Sequence, residues 1–196
     1  MIQHISEILV KKLLSKGYFS SDDAELYIYG FFVLFSQSLY FLVVILIGSI
    51  FHILIESIVF FLVFQLLRKY AGGYHASTEA QCEMLSTLSI IISLGLIKLS
   101  RLYDIQIGLL IFSLYSASFI FFLSPLDTPE KPLSVSEKKH FRKLTWIYLF
   151  FSTALLFVSY FLKFSVLFSP CCMSLILESV LLLAGKIKVL RTAKSS

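Results

Sequence analysis

Apolar residues recur along this chain in six long runs, at roughly Gly30 to Phe51, Ile53 to Leu67, Met84 to Leu99, Ile105 to Leu123, Thr145 to Leu162 and Ser165 to Ala184. The runs are continuously apolar instead of alternating with period two, which argues against a β-barrel. About 20 helical residues cross a bilayer, so the pattern predicts an all-α integral membrane protein with about six transmembrane helices. The second and third runs are short by count. Four full spans, with the weaker segments lying in the interface, is therefore the alternative.

Ahead of the first run, residues 1–20 read differently. Ile2, Ile5, Leu9 and Leu13 recur at helical spacing, flanked by Ile8, Val10 and Leu14, while Glu7, Lys11, Lys12 and Lys16 lie off that stripe. An N-terminal amphipathic helix lying in the membrane interface fits this pattern, and so does an ordinary solvated lead-in. With polar and acidic residues scattered through it and no small-residue cleavage site, the segment is expected to be kept.

Composition agrees with the pattern: 58% of the 196 residues are hydrophobic and 15% charged, outside the range of soluble globular domains. No internal repeat is found, so residues 1–196 are expected to form a single polytopic domain. Charge then orients it. If the N-terminus is inside and there are six spans, 14 of the 17 Lys and Arg residues fall on inner segments and only Lys98, Arg101 and Lys163 on outer ones. Short cytoplasmic loops carry such an excess, which places both termini in the cytoplasm. Nothing in the basic balance calls for a nucleic-acid partner.

One inner segment, residues 124–143, is long and reads as a basic cytoplasmic loop. It holds Pro125, Pro129 and Pro132, which resist helix continuation, then Lys131, Lys138, Lys139, Arg142 and Lys143. Anchoring against anionic lipid is one role for such a cluster; a binding surface for an acidic peptide is the other.

The remaining polar interruption, "RKYAGGYHASTEAQC" from Arg68 to Cys82, carries the candidate chemistry. Arg68 and Lys69 are expected to stop the second span, and Gly72 and Gly73 to let the backbone turn tightly and present His75 at the membrane face. Thr78 to Gln81, "TEAQ", matches the S/T-x-x-E/Q signature of a helix start. With Thr78 as cap, the third span lengthens to Glu79–Leu99 and Cys82 falls in its first turns. Cysteine nucleophiles are placed at such helix starts, beside a histidine. On one continuous helix His75 and Cys82 would stand about 10 Å apart, so a loop followed by a helix is needed to bring them together. A loop with a merely buried thiol is the plainer reading.

The other polar candidates read as less reactive. Residues with zinc-ligand spacing are absent from that side, and neither metal nor cofactor is expected. Cys171 and Cys172 read as structural. Neither Glu56 nor Glu178 is expected to be catalytic, and Glu56, near the outer end of its span, is expected to reach water. Glu79 and Glu83 flank the cysteine and either orient His75 or suit a helix's first turn.

These residues resemble a known family. "RKYAGGYHA", the following cysteine and the proline-containing basic loop "SPLDTPEKPL" are similar to those of the AgrB-type accessory gene regulator proteins, membrane cysteine endopeptidases that mature quorum-sensing peptides. The resemblance implies that Cys82 and His75 are catalytic, that Arg68 and Gly73 support them, and that the site faces the cytoplasm of a bacterial cell. It implies a substrate as well: a small precursor peptide whose C-terminal tail is released through a Cys82 acyl-enzyme, with ring closure to a thiolactone or lactone. An acidic tail would suit the basic inner face, and an amphipathic leader would suit the interfacial segment. Membrane lipid is the other expected partner, and the reading leaves room for a homodimer. A small multi-pass transporter or export subunit, with "AGGYHA" as a gating loop, is the competing class.

Overall fold

A computed structural model describes residues 2–74, 76, 78–103, 105–128 and 133–195. Its regular elements are helical: α1 (Ile2–Leu14), a 3-10 turn (Ser21–Asp23), α2 (Ala24–Ile50), α3 (Leu54–Ala71), α4 (Glu79–Leu102), α5 (Gln106–Leu123), α6 (Val135–Phe161) and α7 (Ser165–Ser195). Each of the six apolar runs is thus the body of one helix, α2 to α7. The chain divides into two compact units, residues 1–43 and 44–196.

In the first unit, α1 forms as the spacing predicts, but its buried stripe is Ile2, Ser6 and Val10. That stripe is rotated from the predicted one, and Ser6 sits in it with its hydroxyl donating back to the Ile2 carbonyl at 3.0 Å. Ile5 and Ile8 stay exposed. Ser20 then caps the 3-10 turn by accepting from the Asp22 N–H, and the Phe19 and Tyr27 rings stack at 4.1 Å.

The second unit is organised around α7, which packs against α3, α4, α5 and α6. Its sequence explains the position. Ser169, Cys171, Cys172, Ser174 and Ser179 are buried, and small side chains let neighbouring helices approach closely, with hydroxyls joining them. Ser174 donates to the Phe60 carbonyl of α3 at 3.1 Å. Ser169 pairs with Ser100 of α4 at 3.0 Å, and Ser179 with Ser116 of α5 at 3.0 Å. Cys171 and Cys172 lie in the core with Leu67, Ile120, Leu156, Leu175 and Leu182.

Among the described residues, five helices (α2 with its preceding turn, α4, α5, α6 and α7) are long and apolar enough to cross a membrane. Their outer faces leave Leu42, Leu46, Phe112, Phe122, Phe150 and Phe161 exposed, a surface that suits lipid and not water. α3 differs in carrying Glu56, Arg68 and Lys69, although its 18 residues reach about 27 Å.

Arg68 and Lys69 fall in the last turn of α3, which ends at Ala71. Two local expectations are corrected. Only the first part of residues 124–143 is loop, because Ser134 and Glu137 form a complete capping box and place Lys138, Lys139, Arg142 and Lys143 on α6. Glu56 does not reach water. It is buried and pairs with Arg101 at 2.6 Å, tying the start of α3 to the end of α4.

Candidate active site

The site is built where α3 ends and α4 begins. α3 stops at two glycines in the left-handed half of backbone space, Gly72 at φ 79° and Gly73 at φ 136°, which L side chains rarely adopt. The turn is held by Arg68, one turn back on α3. Its guanidinium donates to the Gly72 carbonyl and to the Tyr74 carbonyl, both at 2.6 Å. These are charge-assisted bonds, the stronger kind, and they close the loop onto its own helix.

Two further bonds fix the loop from outside. The Tyr74 N–H donates to the Leu181 carbonyl of α7 at 2.9 Å, and the Leu126 N–H donates to the Ala71 carbonyl at 2.9 Å. Gly185 permits the first approach: a Cβ there would lie 2.9 Å from both the Gly73 carbonyl carbon and the Tyr74 nitrogen. The Tyr74 ring is covered by the Lys188 ammonium, 5.5 Å from its centroid, within cation–π range.

Beyond the loop, Thr78 caps α4 as expected, accepting from the Gln81 N–H at 3.3 Å. The Cys82 N–H makes the first helical bond, to the Thr78 carbonyl at 3.0 Å. Cys82 therefore stands one turn inside the helix start, half-buried and unoxidised. His75 lies outside the described residues, between the clamped Tyr74 and Ala76, and so does Lys131.

The basic cluster resolves into two parts. Lys138 is tied to Asp127 at 2.6 Å, and Asp127 also accepts the Leu133 N–H at 3.0 Å. The Lys138 hydrogen bond, helped by that N–H, holds the Asp127 carboxyl below the usual carboxylate range. Lys139, Arg142 and Lys143 are exposed, and their i, i+3, i+4 spacing puts them on one helix face. That end of α6 is joined to the end of α3 by aromatic contacts: Tyr70 stacks on Tyr148 at 5.3 Å and meets Phe141 edge-on at 6.0 Å.

The structure thus brings together Arg68, Gly73 and the start of α6 through α3 and its loop. Sequence reasoning missed Leu126, Leu181, Gly185 and Lys188 as partners of this loop. Gly185, a glycine between the last apolar run and the basic segment that follows, was the one local signal. Among the described residues no three His, Cys, Asp or Glu side chains converge as metal ligands do. A separate cavity of about 580 Å³, lined by Gly48, Ser49, His52, Glu56 and Arg101, lies at the opposite ends of α3 and α4. Its hydroxyl, that of Ser49, is engaged by the Ile45 carbonyl.

A profile of the family described as Accessory gene regulator B matches residues 2–182. The chain belongs to the AgrB family. Among its relatives is an AgrB-like protein 2 from Clostridium perfringens (strain 13 / Type A), 28% identical over 146 residues, covering 71% of this chain and 67% of that one. An AgrB-like protein from Clostridium perfringens (strain SM101 / Type A) is 28% identical over 178 residues, covering 85% and 82%. No solved structure matches the chain. The matched residues include the clamped loop, Cys82 and the basic start of α6.

Proposed function

We propose that this AgrB protein is a membrane cysteine endopeptidase that removes the C-terminal tail of a small quorum-sensing precursor peptide and allows the remainder to cyclise. The observation that carries this reading is the placement of Cys82 one turn inside a capped helix, directly after a loop clamped by Arg68. A merely structural thiol needs no such construction. Cys171 and Cys172, fully buried in the core, are the contrast.

In the proposed reaction the Cys82 sulfur attacks the scissile carbonyl carbon while His75 takes the thiol proton. The C–N bond breaks, His75 returns the proton to the departing amine, and the tail leaves with a new N-terminus. The retained part of the precursor is then a thioester on Cys82. A Cys thiol or Ser hydroxyl of that same peptide attacks the thioester carbonyl, its proton passing through His75 to the Cys82 sulfur. A thiolactone or lactone forms, the enzyme is regenerated, and no cofactor is consumed. A general base of this kind is worth about 10²–10⁴-fold in rate.

The exposed stripe of Lys139, Arg142 and Lys143 suits an acidic tail, and exposed Ile5 and Ile8 on α1 suit an interfacial lead-in for an amphipathic leader. α3 serves as the sixth span, with its charged residues at its two ends, and the 14 to 3 division of Lys and Arg puts the site on the cytoplasmic face of a bacterial membrane. Co-expression of the precursor with Cys82→Ala and His75→Ala variants tests the assignment. Cleavage should vanish in the first and fall to a residue in the second. Normal processing by Cys82→Ala would favour a transporter or export subunit instead.

A further inference from the structure

Gly185 stands inside α7 with a backbone that any residue can adopt, and a glycine in a helix interior is less favourable than an alanine. The helix itself does not call for it. Its neighbours do. A Cβ there would lie 2.9 Å from the Gly73 carbonyl carbon, 2.9 Å from the Tyr74 nitrogen and 2.6 Å from Leu126 Cδ2. The leucine methyl can swing aside, whereas the two backbone atoms move only if the loop moves. Gly95 of α4 is the contrast, a helical glycine where a Cβ would meet nothing within 4 Å.

Gly185 is one of three α7 residues that meet Tyr74. Leu181, Gly185 and Lys188 stand at i, i+4 and i+7, one face of the helix. The Leu181 carbonyl accepts the Tyr74 N–H at 2.9 Å, Gly185 lets the Tyr74 main chain lie against the helix, and the Lys188 ammonium covers the Tyr74 ring at 5.5 Å. From the other side, the Tyr74 carbonyl accepts the Arg68 guanidinium at 2.6 Å. Tyr74 is thus held by its N–H, its C=O and its ring, two of the three from α7. That carbonyl belongs to the planar peptide unit that ends at the Cα of the next residue, His75.

We propose that Tyr74 is a positioning residue, seated on the Leu181, Gly185 and Lys188 face of α7, and that this seat fixes the point from which the His75 side chain reaches toward Cys82. The effect on cleavage rests on the peptidase reading above, while the seat itself does not. Tyr74 touches no reacting atom. It acts through His75, and α7 becomes a working part of the site although it carries none of the reacting groups.

The test uses full-length enzyme in membranes or detergent and a precursor with a labelled tail. In Gly185→Ala the added carbon needs about 3.5–4.0 Å from the loop backbone, where the structure leaves 2.9 Å. Protection of the Tyr74 amide, its exchange rate taken relative to the intrinsic rate, should fall. The kcat should drop on the order of tenfold to a hundredfold, as displaced catalytic groups do, with KM unchanged. Gly95→Ala should leave all three at their wild-type values. Tyr74→Phe keeps the ring that Lys188 covers and should cleave as wild type does, while Tyr74→Leu loses it and should follow Gly185→Ala. Wild-type protection and kcat in Gly185→Ala would overturn the proposal, as would a loss of kcat without a loss of protection, or a loss confined to KM. The same losses in Gly95→Ala would also overturn it. Should Gly185→Ala not assemble, the Tyr74 pair decides, and equal kcat in Tyr74→Phe and Tyr74→Leu would overturn the proposal. Cleavage that persists in Cys82→Ala overturns the peptidase reading alone, and protection of the Tyr74 amide then decides the seat by itself.

Discussion

Arg68 and Gly73 occupy one space: a Cβ on residue 73 would run into the Arg68 guanidinium, at a backbone φ of 136° that L side chains rarely adopt. Gly73→Ala is therefore expected to be as damaging as Gly73→Val, since the first carbon already collides and the backbone alone costs about 1–3 kcal/mol. Cleavage should be lost while Cys82 remains available to a thiol reagent. Wild-type cleavage by Gly73→Ala would show that Arg68 does not need this place.

How much of this was legible in the sequence depends on the range of the interactions. The six apolar runs and the Thr78 cap are local, and each run became the body of one helix. The same S-x-x-E signal at Ser134 and Glu137 was present but hidden by three nearby prolines, so the basic cluster was read as loop when it is helix. Glu56 and Arg101, 45 residues apart, and the seating of Tyr74 on Leu181 are tertiary. No periodicity reports which helix lies beside which. Glu178 was visible as an acid in an apolar run, but its complete burial was not.

The basic start of α6 should divide by function. Changing Lys139, Arg142 and Lys143 together to Glu should weaken binding of an acidic-tailed precursor and flatten its salt dependence, because exposed charges act through a screened field. Lys138→Glu alone should act mainly by breaking the Asp127 pair. Titration of a labelled precursor at several salt concentrations checks this; unchanged affinity in the triple variant would leave the stripe as a lipid anchor.

The Asp127 pair sets a pH limit on the loop. Its carboxyl is held below the ordinary value, first by the Lys138 hydrogen bond. The contribution is therefore complete above the unfolded value of about 3.9 and is lost as the pH falls through the lower folded value. Both side chains are about two-fifths exposed, at 43% and 42%, so the effect on total stability is small. Protection of the Leu133 amide, its exchange rate taken relative to the intrinsic rate at each pH, should hold from neutral pH down to the unfolded value of about 3.9 and fall only below it, whereas Asp127→Asn should speed exchange at neutral pH. Slow exchange in Asp127→Asn would contradict this.

Orientation is checked by single-cysteine labelling in a background with Cys171 and Cys172 changed to Ala. A membrane-impermeant thiol reagent applied to intact cells should spare Cys82 and modify a cysteine placed at Tyr103, the cap residue beyond α4. The reverse pattern would invert the topology and put the site outside.

The central claim, a thioester on Cys82, is tested most directly by intact-protein mass spectrometry. Purified enzyme is mixed with a precursor whose ring-forming Cys or Ser is replaced by Ala, so that the acyl group cannot be passed on. The account predicts an adduct with the mass of the precursor minus its tail, released by hydroxylamine and missing in Cys82→Ala. Tail release by Cys82→Ala at the wild-type rate, or release by the wild-type enzyme with no adduct on Cys82 at any time, would contradict it.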